Sequence, residues 1–175
     1  MSYAFELHFD KATDAAIRGV WDLLTTAGCN TARNGIAPHV TLAIASAYQP
    51  TLARELRLFA LDHPPLPASF FSVGTFPLGV LYFSPVRSER LLAIHADFHR
   101  RFPLLPPAPN SHYYLPGAWQ PHCTLAMNVA DESVLGIIAH YHMPPPGSFA
   151  RLRVVEYPAL KMHFDCPLGG EEGLS

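Results

Sequence analysis

The stretch Pro38-His39-Val40-Thr41-Leu42 returns in the second half of the chain as Pro121-His122-Cys123-Thr124-Leu125. Each copy runs on into apolar residues, which predicts buried β-strands over 39–45 and 122–127. Side chains alternate between the two faces of a strand, so the histidine and the threonine of each copy point the same way. The residues between and after them then face a core. Two such strands on either side of a groove would bring two imidazoles and two hydroxyls together.

The rest of the chain alternates between strand and helix patterns. Residues 3–9 alternate as in a strand, whereas Ile17, Val20 and Trp21 lie on one helical stripe. Pro64-Pro65-Leu66-Pro67 is interpreted as a helix stop. The predicted helices cover 11–27, 51–61, Ser88 to Arg101 and 131–141, and the predicted strands cover 3–9, 39–45, 69–76, 79–86, 122–127, 149–157 and 159–165.

The order of these elements is similar around the two phrases, which suggests an ancient duplication. We therefore predict an α+β fold in which residues 1–175 form one domain of two interleaved lobes. Each lobe is expected to hold a mostly antiparallel sheet with helices outside, and the two pseudo-symmetric sheets are expected to enclose a central cleft.

Composition narrows the class of ligand. The chain has 175 residues, 49% of them hydrophobic, which argues against disorder. Its 12 Lys and Arg against 14 Asp and Glu give a formal net charge of −2. A long nucleic acid is usually bound through a strongly basic surface, which this balance does not provide. The charge favours a small or short phosphate-containing ligand.

The cysteines and the N-terminus bear on the compartment. Three cysteines without CxxC spacing suit free thiols in a reducing compartment, and Cys123 is assigned to packing. The N-terminus lacks the features of a signal peptide, and no run of about 18 apolar residues could span a bilayer. We expect a cytoplasmic protein, a monomer, with no membrane partner.

Metal binding is not expected from the histidines. His95 and His99 are spaced i, i+4 but lack the glutamate of an HExxH motif, and His140 and His142 lie near a predicted helix end. The sequence predicts no metal and no cofactor.

Histidine is the side chain whose ordinary pKa lies nearest neutrality, so a pair can serve as one acid and one base. Cleavage of a phosphodiester needs both roles. In our hypothesis His39 protonates the leaving oxygen and His122 activates water, while Thr41 and Thr124 donate hydrogen bonds to phosphate oxygens. The two phrases are so alike that the opposite assignment of acid and base is equally open.

The paired phrases resemble those of the two-histidine (2H) phosphoesterase superfamily, which includes 2′-5′ RNA ligase-like proteins and cyclic phosphodiesterases. The resemblance also covers 73–77 with 80–83, and Trp119-Gln120-Pro121-His122. It implies a bilobal α+β fold without a metal, with the four repeated polar residues in a central cleft. It further implies opening of 2′,3′-cyclic or related cyclic phosphates, or cleavage of 2′-5′ linkages.

The chain departs from that family at one position. RNA ligase-like members commonly carry an arginine five residues after the second histidine, where this chain has Met127, and the first phrase has Ile44 there. This departure favours a small nucleotide-like or phosphorylated metabolite, with RNA ends as the alternative.

Further residues are candidates for substrate binding. Phe76 stands where the family has an aromatic near the cleft, although an aromatic in a strand often belongs to the core. Tyr114 and Trp119 flank the second phrase and could stack on a base. Arg33 could reach a phosphate, but a solvated loop arginine is the more ordinary interpretation.

Two other functions remain open at this point. One is RNA-end repair or 2′-5′ ligation, which predicts a basic channel wide enough for a strand. The other is a binding protein that holds a phosphorylated ligand without turning it over.

Overall fold

The computed structural model describes residues 1–31, 36–77, 79–129, 136 and 143–170. Its helices are α1 (Lys11–Thr26), α2 (Ala53–Asp62) and α3 (Glu89–Arg101). Short 3-10 turns cover Pro50–Leu52 and Ser111–Tyr114. The strands are β1 (Ser2–Phe9), β2 (Asn30–Thr31), β3 (His39–Ala45), β4 (Leu66–Ala68), β5 (Phe70–Phe76), β6 (Val80–Pro85), β7 (Cys123–Met127), β8 (Gly147–Tyr157) and β9 (Lys161–Pro167).

These strands form two antiparallel sheets. The first has the order β3-β1-β8-β4, with β9 also paired to β8. The second has the order β2-β7-β6-β5. Each sheet contains one strand of the repeated phrase, β3 in the first and β7 in the second. The predicted α+β class with two antiparallel sheets is confirmed.

Helix α1 contacts both sheets, whereas α2 and α3 contact strands of the first sheet. Asp10 and Ser88 cap α1 and α3, since the side chain of each accepts a hydrogen bond from a backbone N–H three residues further on. Helix α1 follows a strand of the first sheet but also contacts β7 and β2 of the second. Helix α3 contacts β3. The buried apolar side chains form one cluster that includes Phe5 of the first sheet and Leu125 of the second.

Several predicted boundaries need correction. Pro64 to Pro67 is more than a helix stop, because Leu66–Ala68 pairs with β8 as β4. Proline is tolerated there because β4 lies at the edge of the sheet. The two-residue strand β2 escaped prediction, and the strand predicted over 159–165 covers Lys161–Pro167. The helix predicted over 131–141 lies outside the described residues.

In the described part of the chain, no helix combines the length and the apolar character that crossing a membrane requires.

Candidate active site

Strands β3 and β7 approach each other at a cleft of about 340 Å³. His39, Thr41, His122 and Thr124 all line this cleft. The alternate residues of both strands are fully buried on the opposite face: Val40, Leu42, Cys123 and Leu125. The structure therefore gathers the two imidazoles and two hydroxyls of the repeated phrases around one space.

Both imidazoles are oriented by the same local hydrogen bond. Nδ1 of His39 lies 2.8 Å from the carbonyl oxygen of Ala37, and Nδ1 of His122 lies 2.8 Å from that of Gln120. Because a carbonyl oxygen only accepts, Nδ1 of each ring carries the proton and donates it. The Nε2 atom of each ring is thus the one left to exchange protons with a ligand.

A buried carboxylate distinguishes the two histidines. Oε1 of Glu6 lies 3.4 Å from Nε2 of His39, and the Glu6 side chain is 1% exposed. Glu6 also lines the cleft, as does Tyr157, whose hydroxyl donates to Oε1 over 2.8 Å. No carboxylate lies within hydrogen-bond distance of His122 among the described residues.

His122 is held towards its neutral form. Burial lowers its pKa, and the nearby charge of His39 lowers it further. The hydrogen bond to Gln120 opposes these effects without cancelling them. A neutral imidazole whose Nδ1 carries the proton presents a lone pair at Nε2, which is what a general base needs.

The walls of the cleft are largely apolar and aromatic. Ile44 and Met127, each five residues after a histidine, both line it. The described lining contains no lysine or arginine, and Glu6 is the one carboxylate among the described residues of the lining. The complete described lining is Ser2, Ala4, Glu6, Trp21, Ile36, Pro38, His39, Thr41, Ile44, Tyr114, His122, Thr124, Met127 and Tyr157. Within the described lining, His39 and His122 are therefore the groups that can carry a positive charge.

The predicted binding residues differ in their placement. Tyr114 lines the cleft, with its ring 6.4 Å from that of His122. Phe76 is absent from the lining but meets His122 edge to face, with ring centroids 4.9 Å apart. The other side of Phe76 is stacked on Tyr82 at 4.2 Å. Phe76 therefore supports the His122 ring from behind.

Trp119 does not lie in the cleft, contrary to the expectation that it could stack on a base. Its ring is 6% exposed and is stacked on His95, with centroids 3.8 Å apart. Its indole nitrogen donates to the backbone oxygen of Thr41. Both contacts place Trp119 in the interior of the protein, where it supports the strand that carries Thr41. Arg33 lies outside the described residues.

Cys123 is not equipped to act as a nucleophile. It is fully buried, and burial raises the pKa of its thiol to about 12. Cys123 and Cys166 are both buried and form no disulfide. Within the described ranges, no three His, Cys, Asp or Glu side chains come together in a group that could hold a metal ion; His140 and His142 lie outside those ranges.

A family model described as the 2′-5′ RNA ligase superfamily matches residues 6–157. The chain belongs to this superfamily. The match contains both repeated phrases, and it begins at Glu6. No curated protein matches this superfamily member significantly.

Solved structures share the fold of this superfamily member. Apo LigT of E. coli superimposes with a TM-score of 0.61 at 14% identity, covering 95% of this chain and 94% of LigT. LigT complexed with 3′-AMP gives 0.60 at 13% identity, with 95% and 93% covered. TT0787 of Thermus thermophilus gives 0.59 at 15% identity, with 98% and 100% covered. At such identities the likeness concerns the fold.

Sequence reasoning missed three residues at the site of this superfamily member. Trp21 was assigned only to a helical stripe, yet it lines the cleft. Glu6 left a readable signal, because it and His8 are the two ionisable side chains on one face of a largely apolar strand. Tyr157 left none, since it reaches the cleft only through the pairing of β8 with β1.

Proposed function

We propose that this protein is a metal-independent phosphoesterase that hydrolyses a cyclic phosphate or a 2′-5′ phosphodiester of a nucleotide-like substrate. Phosphoesterases and RNA ligase-like enzymes make up its family. The observation that supports hydrolysis best is the convergence of both His-x-Thr phrases on one cleft. A binding protein would have no need of two proton-transfer groups placed on either side of one ligand.

The mechanism assigns one role to each side chain. Nε2 of His122 takes a proton from water as the water oxygen bonds to phosphorus. The bond from phosphorus to the leaving oxygen breaks, and that oxygen takes the proton from Nε2 of His39. Thr41 and Thr124 donate hydrogen bonds to the non-bridging oxygens, where charge gathers in the transition state. The product is a phosphomonoester, or two fragments from a linear diester, and solvent restores both protonation states.

The lining of the cleft supports a small substrate. A cyclic phosphate or a phosphodiester carries one negative charge, which a protonated His39 and the two threonine hydroxyls can meet although the described walls hold no lysine or arginine. The aromatic rings of Tyr114 and Trp21 could face a base. LigT, which shares the fold, has been crystallised with 3′-AMP, with ATP and with phosphate. An RNA strand would need a basic channel, which the described lining does not supply.

The test is incubation with 2′,3′-cyclic nucleotides and 2′-5′-linked dinucleotides, in the presence of EDTA, followed by phosphorus NMR. We expect turnover by the native protein. Because general acid and base catalysis each contribute about 100-fold or more, His39→Ala and His122→Ala should each lose at least that factor.

The matched control is His112→Ala, because His112 is exposed and outside the described lining. It should keep native activity. Full activity in the double variant lacking both cleft histidines would exclude the mechanism. Tight nucleotide binding without turnover of any substrate would favour the binding protein instead.

A further inference from the structure

Glu6 and His8 form a polar pair on β1 directly beside the first His-x-Thr phrase. In the register between β1 and β3, Glu6 pairs with Thr41 and His8 pairs with His39. Residues two apart share a face of a strand, so Glu6 and His8 both face the side of the sheet that carries His39. Both are almost completely buried, although one is acidic and the other titratable.

Each carboxylate oxygen of Glu6 has a hydrogen-bond donor. Oε1 accepts from the Tyr157 hydroxyl over 2.8 Å and lies 3.4 Å from Nε2 of His39. Oε2 lies 2.9 Å from Nε2 of His8. Burial alone would raise the pKa of Glu6, but His39, His8 and Tyr157 together outweigh it and hold that pKa below its ordinary value. Glu6 is therefore an ionised carboxylate in the wall of the cleft.

This carboxylate makes the two cleft histidines chemically different. His39 has an acceptor at each ring nitrogen, the Ala37 carbonyl at Nδ1 and Glu6 at Nε2. With the proton of the neutral ring on Nδ1, a bare Nε2 lone pair would face the Glu6 carboxylate, so this contact is attractive only when Nε2 also carries a proton. Among the described residues, His122 has such an acceptor at Nδ1 alone. One ring is thereby prepared to give a proton and the other to take one.

We infer that Glu6 is a positioning residue that keeps His39 as the imidazolium and so assigns the acid role to the first phrase and the base role to the second. This inference rests on the proposed hydrolase function. It removes the ambiguity that two near-identical sequence phrases leave. In the reaction Glu6 itself stays ionised: His39 gives its Nε2 proton to the leaving oxygen and regains one from solvent.

The other charged groups around Glu6 do not compete with His39 for this role. His8 is the nearest, but burial lowers its pKa and favours the neutral ring. Its Nδ1 lies 3.4 Å from Nη1 of Arg153, which can donate only to a neutral His8. Arg153 in turn lies 3.1 Å from Asp165 of β9, a carboxylate that it shares with Arg151.

The phenols near Glu6 are uncharged. Burial raises the pKa of Tyr157, and the charge of Glu6 raises it further. The same two causes, in the same order, raise the pKa of Tyr114. Neither supplies a second negative charge, and His122 across the cleft is held neutral. Among the described residues, the carboxylate that faces His39 is therefore that of Glu6.

The decisive variant is Glu6→Gln, which keeps the size and an acceptor oxygen but removes the charge. Loss of an opposite charge within about 4 Å shifts a titration by roughly one pH unit or more. We expect the alkaline limb of the bell-shaped profile of kcat/KM to move to lower pH by about that amount. On the alkaline side of the native profile, kcat/KM of Glu6→Gln should therefore fall by up to about tenfold, with KM within about twofold of native.

The structure offers a matched control. Glu156 is a buried glutamate on β8, and its Oε2 lies 2.7 Å from Nε2 of His163, outside the described lining of the cleft. Glu156→Gln should leave the pH profile unchanged. Glu6→Asp keeps the charge and should hold the alkaline limb closer to its native position than Glu6→Gln does. Equal shifts in the two Glu6 variants would overturn the inference.

A second measurement needs no substrate and so separates this inference from the proposed function. Nitrogen NMR of the two imidazoles, followed against pH, should show His39 keeping its second proton to higher pH than His122. Glu6→Gln should reduce the difference between the pH values at which the two rings lose their second proton. The reverse order of the two histidines in the native protein, or a His39 titration that Glu6→Gln leaves in place, would overturn the role of Glu6. A native protein that shows the expected titrations but turns over nothing would overturn only the hydrolase.

Discussion

The indole nitrogen of Trp119 donates a hydrogen bond to the backbone oxygen of Thr41 over 2.9 Å. The opposite half of the molecule repeats this contact, because the indole of Trp21 donates to the backbone oxygen of Thr124 over 3.2 Å. Trp119 precedes the second phrase and holds the first, whereas Trp21 precedes the first phrase and holds the second. Each His-x-Thr strand is thus fixed by the other half of the chain.

Trp119→Phe should weaken both the fold and the site. A phenyl ring fills much of the space but leaves the buried oxygen of Thr41 without its donor, which costs about 1–3 kcal/mol. We expect the free energy of unfolding in urea to fall by that amount and kcat to fall because Thr41 loses its anchor. Tyr113→Phe, an exposed change in the same loop, is the control. Native stability in Trp119→Phe would show that the hydrogen bond contributes nothing.

The cleft hydroxyls should matter for turnover and little for folding. Thr41→Val and Thr124→Val keep the branched shape that suits a strand and remove one hydrogen-bond donor each. Loss of one donor to the transition state typically costs about 100-fold in kcat, so a decrease of that order is expected at nearly unchanged KM. Thr75→Val is the comparison, since Thr75 lies exposed on β5 and outside the described lining. If all three variants turned over alike, the threonines would not contact the phosphate.

Stability should fall in mild acid because of His95. Burial lowers the pKa of His95 to about 4, and the charge of His99 adds to this. Unfolding exposes the ring and returns its pKa to about 6.5, so the unfolded chain binds the extra proton first as the pH falls. The contribution of His95 is therefore complete above about pH 6.5 and is lost towards pH 4, with an upper limit of about 3 kcal/mol.

Urea unfolding between pH 7 and pH 4 measures this loss. His95→Gln should make the dependence on pH shallower, whereas His112→Gln, at an exposed histidine, should leave it as it is. The rings of His8, His99 and His122 also have pKa values lowered mainly by desolvation, so some dependence of stability on pH should persist. If the free energy of unfolding of His95→Gln fell as steeply with pH as that of the native protein, the whole pH dependence would come from those other rings.

The alternation of residues within each segment was enough to predict the strands of both phrases and the face on which each histidine lies. Strand alternation is a property of neighbouring residues, and the burial of Val40 and Leu42 follows it. The partners of these residues were not predictable, because they depend on how distant strands pair. The position of Glu6 beside His39 requires the register of β1 against β3, which nothing in either segment alone reveals.

Other failures have equally physical reasons. Prolines around Leu66 argue against a strand in general, but an edge position leaves their missing N–H without consequence. Trp119 next to a predicted site suggests a ligand contact, whereas His95 and the Thr41 carbonyl supply it with interior partners from far along the chain.

The position of β8 in the first sheet bears on how the protein forms during synthesis. Strand β1 is bordered by β3 on one side and by β8 on the other. A nascent chain that has emerged as far as Met127 already holds both histidines and both threonines, yet β1 still has an open edge and Glu6 lacks Tyr157. The first sheet, and with it the contact between Tyr157 and Glu6, is therefore completed only after residues 147–157 have been synthesised, because this sheet joins β1 to a strand from late in the chain.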